Sequence, residues 1–405
     1  MVKRWAAFRA LRYPDFFWFW SSYFVSNVGS WMQSVAQGWL LFELTNSPFI
    51  LGLFSLLRTA LLLCFFLLGG LIADRWDRRL VMIWIQIVSL LTALGLAVLI
   101  SLGSLQVWHI FILGALTSTA WAFEQPVRQS IIPKLVGRED LVNALALNAI
   151  TWHGAGLLGP SLVGLLVGVI GISGCFYLNV VSYLAIIATL MWIHIPPHAG
   201  SQEKMRMTES LLDGLRYIRG QGLILTLLVG SSFFSIFGRS YITLMPVIAK
   251  EVLRVGASGL GFISAAPGMG TVIGSLSLAI LGKVKVDKRI LVIVMLGCAA
   301  ALFSFGTSER FAIAFALLVL VGGLSTVFDT LLNTLIQLTV DDAYRGRVFG
   351  VYGLTAAGMR EFGGMQAGFL AEWSSAPFAL EMGAIVVAVV ALFFLAPRLR
   401  RLREA

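Results

Sequence analysis

The sequence predicts an all-α membrane protein, with twelve transmembrane helices arranged as two six-helix bundles. Three observations predict it. Hydrophobic residues make up 58% of the 405-residue chain and charged residues only 12%, about half of the roughly 25% usual in soluble domains. Mean hydropathy is +0.88, more apolar surface than a water-soluble fold of this size can hide. Second, apolar stretches of about 20 residues, the length that crosses a bilayer, recur along the whole chain. Third, the basic residues gather in alternate connections between those stretches, as orientation signals do.

Taken in order, the spans fall at 16–41, 48–73, 80–102, 107–132, 141–170 and 174–195, then at 223–249, 259–281, 290–307, 311–338, 347–371 and 377–395. Backbone groups in lipid must be satisfied within their own segment, so each span is expected to be a helix. Of the 30 Lys and Arg residues, 23 lie at the N-terminus, after spans 2, 4, 6, 8 and 10, and in the C-terminal tail. The opposite connections hold only Lys250, Arg254 and Arg310. Both termini are therefore expected in the cytoplasm. The net charge of +10 reads as this asymmetry and not as a nucleic-acid surface. Aromatics Phe16 to Trp20 open the first span, where an interfacial belt is expected.

Residues 1–195 form the expected N-terminal bundle, 196–208 a polar cytoplasmic linker, and 209–405 an amphipathic helix with the C-terminal bundle. Leu211, Leu212, Leu215 and Ile218 share one face of that helix, with Thr208 as its expected N-cap. A weak repeat crosses the linker. Leu11-Arg12-Tyr13 matches Leu215-Arg216-Tyr217 at an offset of 204, and Asp77-Arg78-Arg79 resembles Asp287-Lys288-Arg289 at 210. The two halves thus read as parallel repeats.

Several signals are read as negative. Cys64, Cys175 and Cys298 are far apart and lack histidines at ligand spacing, which argues against a disulfide framework or a metal site. A basic Met1–Arg12 leads into a stretch too long for the core of a cleavable leader. Gly154 to Gly159 spell GxGxxG, yet no strand precedes them, so a dinucleotide site is rejected. No nucleophile–base constellation points to an enzyme. No cofactor is expected.

Polar residues inside spans are costly unless paired or hydrated, so they mark candidate sites. Arg58, Arg239 and Arg360 are expected to bind substrate, with Ser26, Ser30, Gln33 and Gln37 from a polar stripe on the first span, which also carries Ser22 and Ser34. The spacings of 4, 4, 3, 1 and 3 place all six on one helical face, suited to a cavity or to helix–helix bonds. Glu361, then Asp329, then Glu124 are the candidate proton-coupling carboxylates. Glu124 and Arg128, four apart, also suit a structural ion pair. Adjacent Arg360 and Glu361 do not face each other on a helix, which counts against their pairing. His153 reads as a packed side chain more readily than as a proton relay.

The most specific motif is Gly70-Leu-Ile-Ala-Asp74-Arg75-Trp-Asp77-Arg78-Arg79, between spans 2 and 3. It resembles the signature loop of the major facilitator superfamily, with Asp77 where Gly is common. Segments LRYPDFFWFW, GSWMQSVAQGWLLFELTNSP and QPVRQSIIPKLVGREDLVNALALN are similar to one branch of that superfamily, which includes the enterobactin exporter and macrolide and drug efflux proteins. The resemblance implies two bundles rocking around a central cavity in the cytoplasmic membrane. It also implies a gating role for Asp74, Arg75, Arg78 and Arg79, and, through a glycine-proline motif of antiporters, for Gly159 and Pro160. The implied activity is proton-driven export of a small amphiphilic molecule of siderophore or drug type by a monomer whose partners are that substrate and the lipid bilayer. A lysophospholipid flippase or importer of the same fold is the alternative, and a non-transporting membrane receptor the rival from another class.

Overall fold

The structure, a computed structural model, describes residues 8–75, 77–195, 207–281 and 288–398; for 66–75, 207–212, 281, 288, 354 and 357 it describes the backbone alone. The described chain is helical and contains no strand. Its elements are α1 (Pro14–Thr45), α2 (Pro48–Arg75), α3 (Arg78–Ser101), α4 (Val107–Leu135), α5 (Leu141–Trp192), α6 (Met207–Gly220), α7 (Gly222–Gly238) and α8 (Tyr241–Val247). After these come α9 (Gly256–Leu281), α10 (Lys288–Gly306), α11 (Phe311–Thr339), α12 (Arg345–Trp373) and α13 (Ala376–Val389).

Each expected span falls on a helix, with two departures in how the segments are joined. Spans 5 and 6 are both carried by the 52-residue α5. Straight, it would run about 78 Å, more than twice the roughly 30 Å of a bilayer core. It bends at Gly171, where φ is 70°, a conformation that glycine adopts without steric cost. Span 7 is instead broken: α7 ends at Gly238, Arg239 and Ser240 interrupt it, and α8 continues.

Eight segments among the described residues are long and apolar enough to cross a membrane, counting the doubled 138–192 segment once. Those for α1, α4 and α12 miss that standard because they carry the serine and glutamine stripe, Glu124 with Arg128, and Arg360 with Glu361. Large apolar side chains cover the outside, with Val169 and Ile280 each 83% exposed, an arrangement suited to lipid and not to water.

Contacts divide the chain into two compact units. Unit 1 holds 1–45, 57–202 and 257–265; unit 2 holds 46–56, 203–256 and 266–405. This division exchanges two short segments relative to the boundaries expected from the linker, which itself lies outside the described residues over 196–206. In unit 1, α1 and α3 pack on α5 and α3 on α4, around a core that includes Phe16, Phe19, Met82, Ile131 and Ile186. In unit 2, α12 packs on α7 and α13, and α10 on α11 and α13.

The weak sequence repeat has a structural counterpart within each unit. Tyr13 Oη donates to Asp140 Oδ2 at 3.2 Å, and Tyr217 Oη donates to Asp341 Oδ2 at 3.0 Å. Arg12 reinforces the first through ion pairs to Asp140 at 2.8 Å and Glu139 at 2.7 Å. Tyr217 stacks on Tyr344, centroids 4.2 Å apart.

Candidate functional site

In unit 1 the buried charges of α4 form a cluster with α1, α3 and α5. Glu124, 7% exposed, accepts from Tyr23 Oη at 2.7 Å and from Gln86 Nε2 at 3.3 Å. Arg128, one turn on, donates through a terminal nitrogen to Asn148 Oδ1, and its guanidinium carbon lies 4.7 Å from the centroid of the Tyr23 ring. The ion pair that the spacing of four suggested is not formed; the carboxylate turns to neutral donors on α1 and α3, the guanidinium to an amide on α5. Both groups thereby keep hydrogen bonds, which burial demands. Beside them lies a cavity of about 250 Å³, lined by residues of α1, α4 and α5 including Asn27, Arg128 and Trp152.

Unit 2 uses its charges differently. Arg239, in the break between α7 and α8, donates to Asp329 Oδ2 on α11 at 2.6 Å and lies over the Phe234 ring, 5.4 Å from its centroid. Non-helical backbone at membrane depth is tolerated only where protein or water satisfies it, and the ion pair sits at that point. Arg360 pairs with Glu361 at 3.0 Å. Adjacent positions therefore do pair here, because two long side chains can fold toward each other along the helix surface. Arg239 and Arg360 are each matched by a carboxylate. Arg58, in unit 1, donates from Nε to the buried Ser118 Oγ at 3.2 Å.

The polar stripe of α1 serves helix packing. Ser30 Oγ bonds to Ser26 O at 2.9 Å and to Tyr183 Oη at 2.9 Å, and Gln33 Oε1 accepts from Asn179 Nδ2 at 2.6 Å. Ser22, Ser26, Gln33 and Gln37 are all buried. The α1 residues that line the cavity are Tyr23 and Asn27, one position on from Ser22 and Ser26. Sequence periodicity found a polar face of α1, but the neighbouring face holds the cavity.

At the loop between α2 and α3, the side chains of Asp74 and Arg75 lie outside the described residues. Asp77, the departure from the family pattern, caps α3 by accepting from Arg79 N at 2.8 Å and Leu80 N at 3.3 Å. Arg79 donates to the carbonyls of Leu190 and Met191 at the end of α5, the former at 2.6 Å, where cations complement the helix terminus. Arg78 reaches Ser130 O on α4 at 3.3 Å. Gly159 and Pro160 are buried in α5. A Cβ on Gly159 would stand 2.7 Å from Val28 O and 2.9 Å from Met32 N, so α1 and α5 touch backbone to backbone there.

Comparisons with known proteins fit this geometry. The chain shares its fold with solved transporters of the major facilitator type. A bacterial homologue of the human lysosomal transporter Spinster, solved inward-facing and unoccupied, aligns at TM-score 0.72 with 13% identity, covering 96% of this chain and 97% of that one. The nucleoside transporter NupG aligns at TM-score 0.72 with 15% identity over 94% and 98%. The chain belongs to the transmembrane secretion effector family of the major facilitator superfamily, which matches residues 5–405. The enterobactin exporter EntS of Shigella boydii serotype 4 (strain Sb227) is 26% identical over 389 residues, 94% of this chain and 91% of that protein. EntS of Escherichia coli O1:K1 / APEC is similar to the same extent. The chain is thus a multi-pass membrane protein of a transporter family.

Proposed function

We propose that the chain is a secondary exporter of the cytoplasmic membrane, with both termini inside, which moves a small amphiphilic molecule of siderophore or drug type outward in exchange for protons. It works as a monomer and needs no cofactor beyond the proton gradient. The observation that carries this reading is the Glu124–Tyr23–Arg128 cluster beside its cavity. A proton on Glu124 cancels the charge to which Tyr23 and Gln86 now donate. The same Tyr23 ring supports the Arg128 guanidinium, so the carboxylate and the cavity wall share one side chain. Cargo that engages Arg128 and a proton that engages Glu124 thereby act on a common element, the linkage that antiport requires.

Glu124 replaces Glu361 and Asp329 as the leading coupling carboxylate, because those two are held by Arg360 and Arg239. The name of the EntS relatives supports export and a siderophore-like cargo. The Arg78 and Arg79 contacts to α4 and α5, with Asp74 and Arg75 beside them in sequence, supply the gate. Proteoliposomes with an imposed pH gradient test the reading: substrate flux should consume the gradient, and Glu124→Gln should abolish uphill accumulation while leaving downhill exchange. Lipid translocation with no proton requirement would instead identify a flippase, and binding without flux a receptor.

A further inference from the structure

Helix α2 is shared between the two units. It runs unbroken from Pro48 to Arg75, yet 46–56 belong to unit 2 and 57–75 to unit 1, along with α1. Helix α9 is divided in a similar way, with 257–265 in unit 1 and 266–281 in unit 2. What sets α2 apart is the way its first turns are fastened to α12. Gly364, Gly368 and Glu372 follow one another at intervals of four and so share a face of α12. Against that face lie Ser47, Pro48, Phe49 and Gly52.

The fastening has a tight part and a polar part. A Cβ on Gly52 would stand 2.7 Å from Met365 Cα and 2.8 Å from Gly364 O, and one on Gly368 would stand 2.5 Å from Pro48 O, so the two backbones touch. Beside them Phe49 meets Phe369 edge to face, with ring centroids 6.3 Å apart. The polar part lies at the end of the helix pair. Glu372 Oε2 accepts from Ser47 Oγ at 2.7 Å and from the backbone N of Phe49 at 3.2 Å, which sets a carboxylate on the partly positive first turn of α2. Ser47 Oγ in turn accepts from Ile50 N at 3.3 Å. Lys250 Nζ donates to Asn46 Oδ1 at 2.7 Å, and Asn46 has a φ of 47°. The bonds made by Glu372 and Lys250 are exposed, so water can replace them at little net cost.

A transporter works by moving its units, and a helix whose two lengths belong to different units must then bend or let go of one of them. Bends fall at proline, glycine or bulges. No glycine or proline occurs between Leu53 and Leu68, the stretch that holds the boundary at 56/57, so letting go is the route open to α2. We infer that the Glu372–Ser47 clasp, with the Lys250–Asn46 bond beside it, is a releasable latch. Closed, it holds the first turns of α2 in unit 2; open, it lets the whole of α2 travel with unit 1. Pro48 and Arg75 are opposite ends of α2, so the latch lies at the other end of the helix from the signature loop and the contacts of Arg78 and Arg79. It rests on membership of a transporter family, and not on the cargo, the direction or the proton coupling proposed above.

The test uses the full chain in lipid nanodiscs, with Cys64, Cys175 and Cys298 replaced, and reads distances between spin labels by pulsed electron resonance. Labels on Leu53→Cys and Ile385→Cys, both exposed positions, report the first turns of α2 against α13 of unit 2. Labels on Ile293→Cys and Ile385→Cys, on α10 and α13, report unit 2 alone. The α2 pair should show a main separation and a minor longer one. Glu372→Ala should raise the longer fraction relative to the main one by about threefold to tenfold, as expected for losing exposed bonds to a charged group. Asn46→Gly keeps the backbone conformation and removes the acceptor of Lys250, so it should raise that ratio by a smaller factor. The control pair should keep its separation in both variants. An α2 distribution unchanged in both variants would overturn the latch, and so would a control pair that shifts as far as the α2 pair.

Discussion

Tyr23 and Glu124, 101 positions apart in the chain, meet through a hydrogen bond of 2.7 Å between a buried hydroxyl and a buried carboxylate. The bond fixes α1 against α4 at the depth where the only other formal charge of the cluster, Arg128, leans on the face of the same tyrosine ring. A single side chain is thus bonded at its tip to a proton acceptor and covered on its face by a cation.

Tyr23→Phe separates those two tasks. The ring remains under Arg128, and Glu124 Oε1 loses its hydroxyl donor. Unfolding stability should fall by about 1–3 kcal/mol, the cost of leaving a buried acceptor unmet. Proton-to-substrate stoichiometry in proteoliposomes should drop, with substrate binding changed less than threefold by calorimetry, well under the factor of ten that 1.4 kcal/mol represents. Unchanged stoichiometry would detach Tyr23 from coupling.

Two glycines three residues apart in α5, Gly156 and Gly159, should respond oppositely to alanine. A Cβ at Gly159 would press on the α1 backbone, whereas one at Gly156 would sit 3.7 Å from the Trp31 ring, an ordinary contact. Gly159→Ala should lose about 1–3 kcal/mol through overpacking. Gly156→Ala should be neutral or gain up to about 1 kcal/mol from helix propensity. Thermal melts followed by size-exclusion in detergent read the difference.

Asp77→Ala removes the side-chain cap of α3. The expected loss is about 0.5–2 kcal/mol, seen as a lower melting temperature. Asp77→Asn should restore most of it, because an amide oxygen accepts the same two backbone bonds. An equal loss in both variants would point to charge, and not to capping, as the role of Asp77.

Arg79→Gln should slow turnover more than it lowers membrane abundance. Its guanidinium holds two carbonyls at the end of α5, and glutamine cannot reach both. Rates normalised to protein in the membrane check this, and unaltered turnover would take Arg79 out of the gate.

Topology is open to direct labelling. With Cys64, Cys175 and Cys298 replaced, single cysteines at Ser104 and Ser201 should react with an impermeant maleimide from opposite sides, Ser201 from the cytoplasm. Reaction of both from one side would refute the twelve-crossing arrangement.

The helices were legible in the sequence because hydropathy and the backbone's need for internal bonding act locally. Charge asymmetry is local in the same way, and the orientation expected from it is what the labelling measures. The candidate site was legible only in part. Glu124 and Arg128 were visible as buried charges, but their spacing of four suggested mutual pairing; the choice of Tyr23, Gln86 and Asn148 as partners depends on helices 20 to 101 residues away in sequence. Asn27 gave no signal, since one amide beside a longer serine and glutamine stripe does not stand out. The match of Arg239 with Asp329 was equally hidden, because 90 residues separate them. Long-range pairing, which decides whether a buried charge is spent or available, has no periodicity to read.

The bend at Gly171 bears on how unit 1 is made. The two lengths of α5 are joined by a turn of a few small and apolar residues, Gly171-Ile172-Ser173-Gly174, and not by a hydrophilic loop. Almost nothing polar has to be carried through the bilayer when the pair inserts, so the ribosome can deliver both lengths together as one hairpin. The same connection leaves a protease no extended segment to cut.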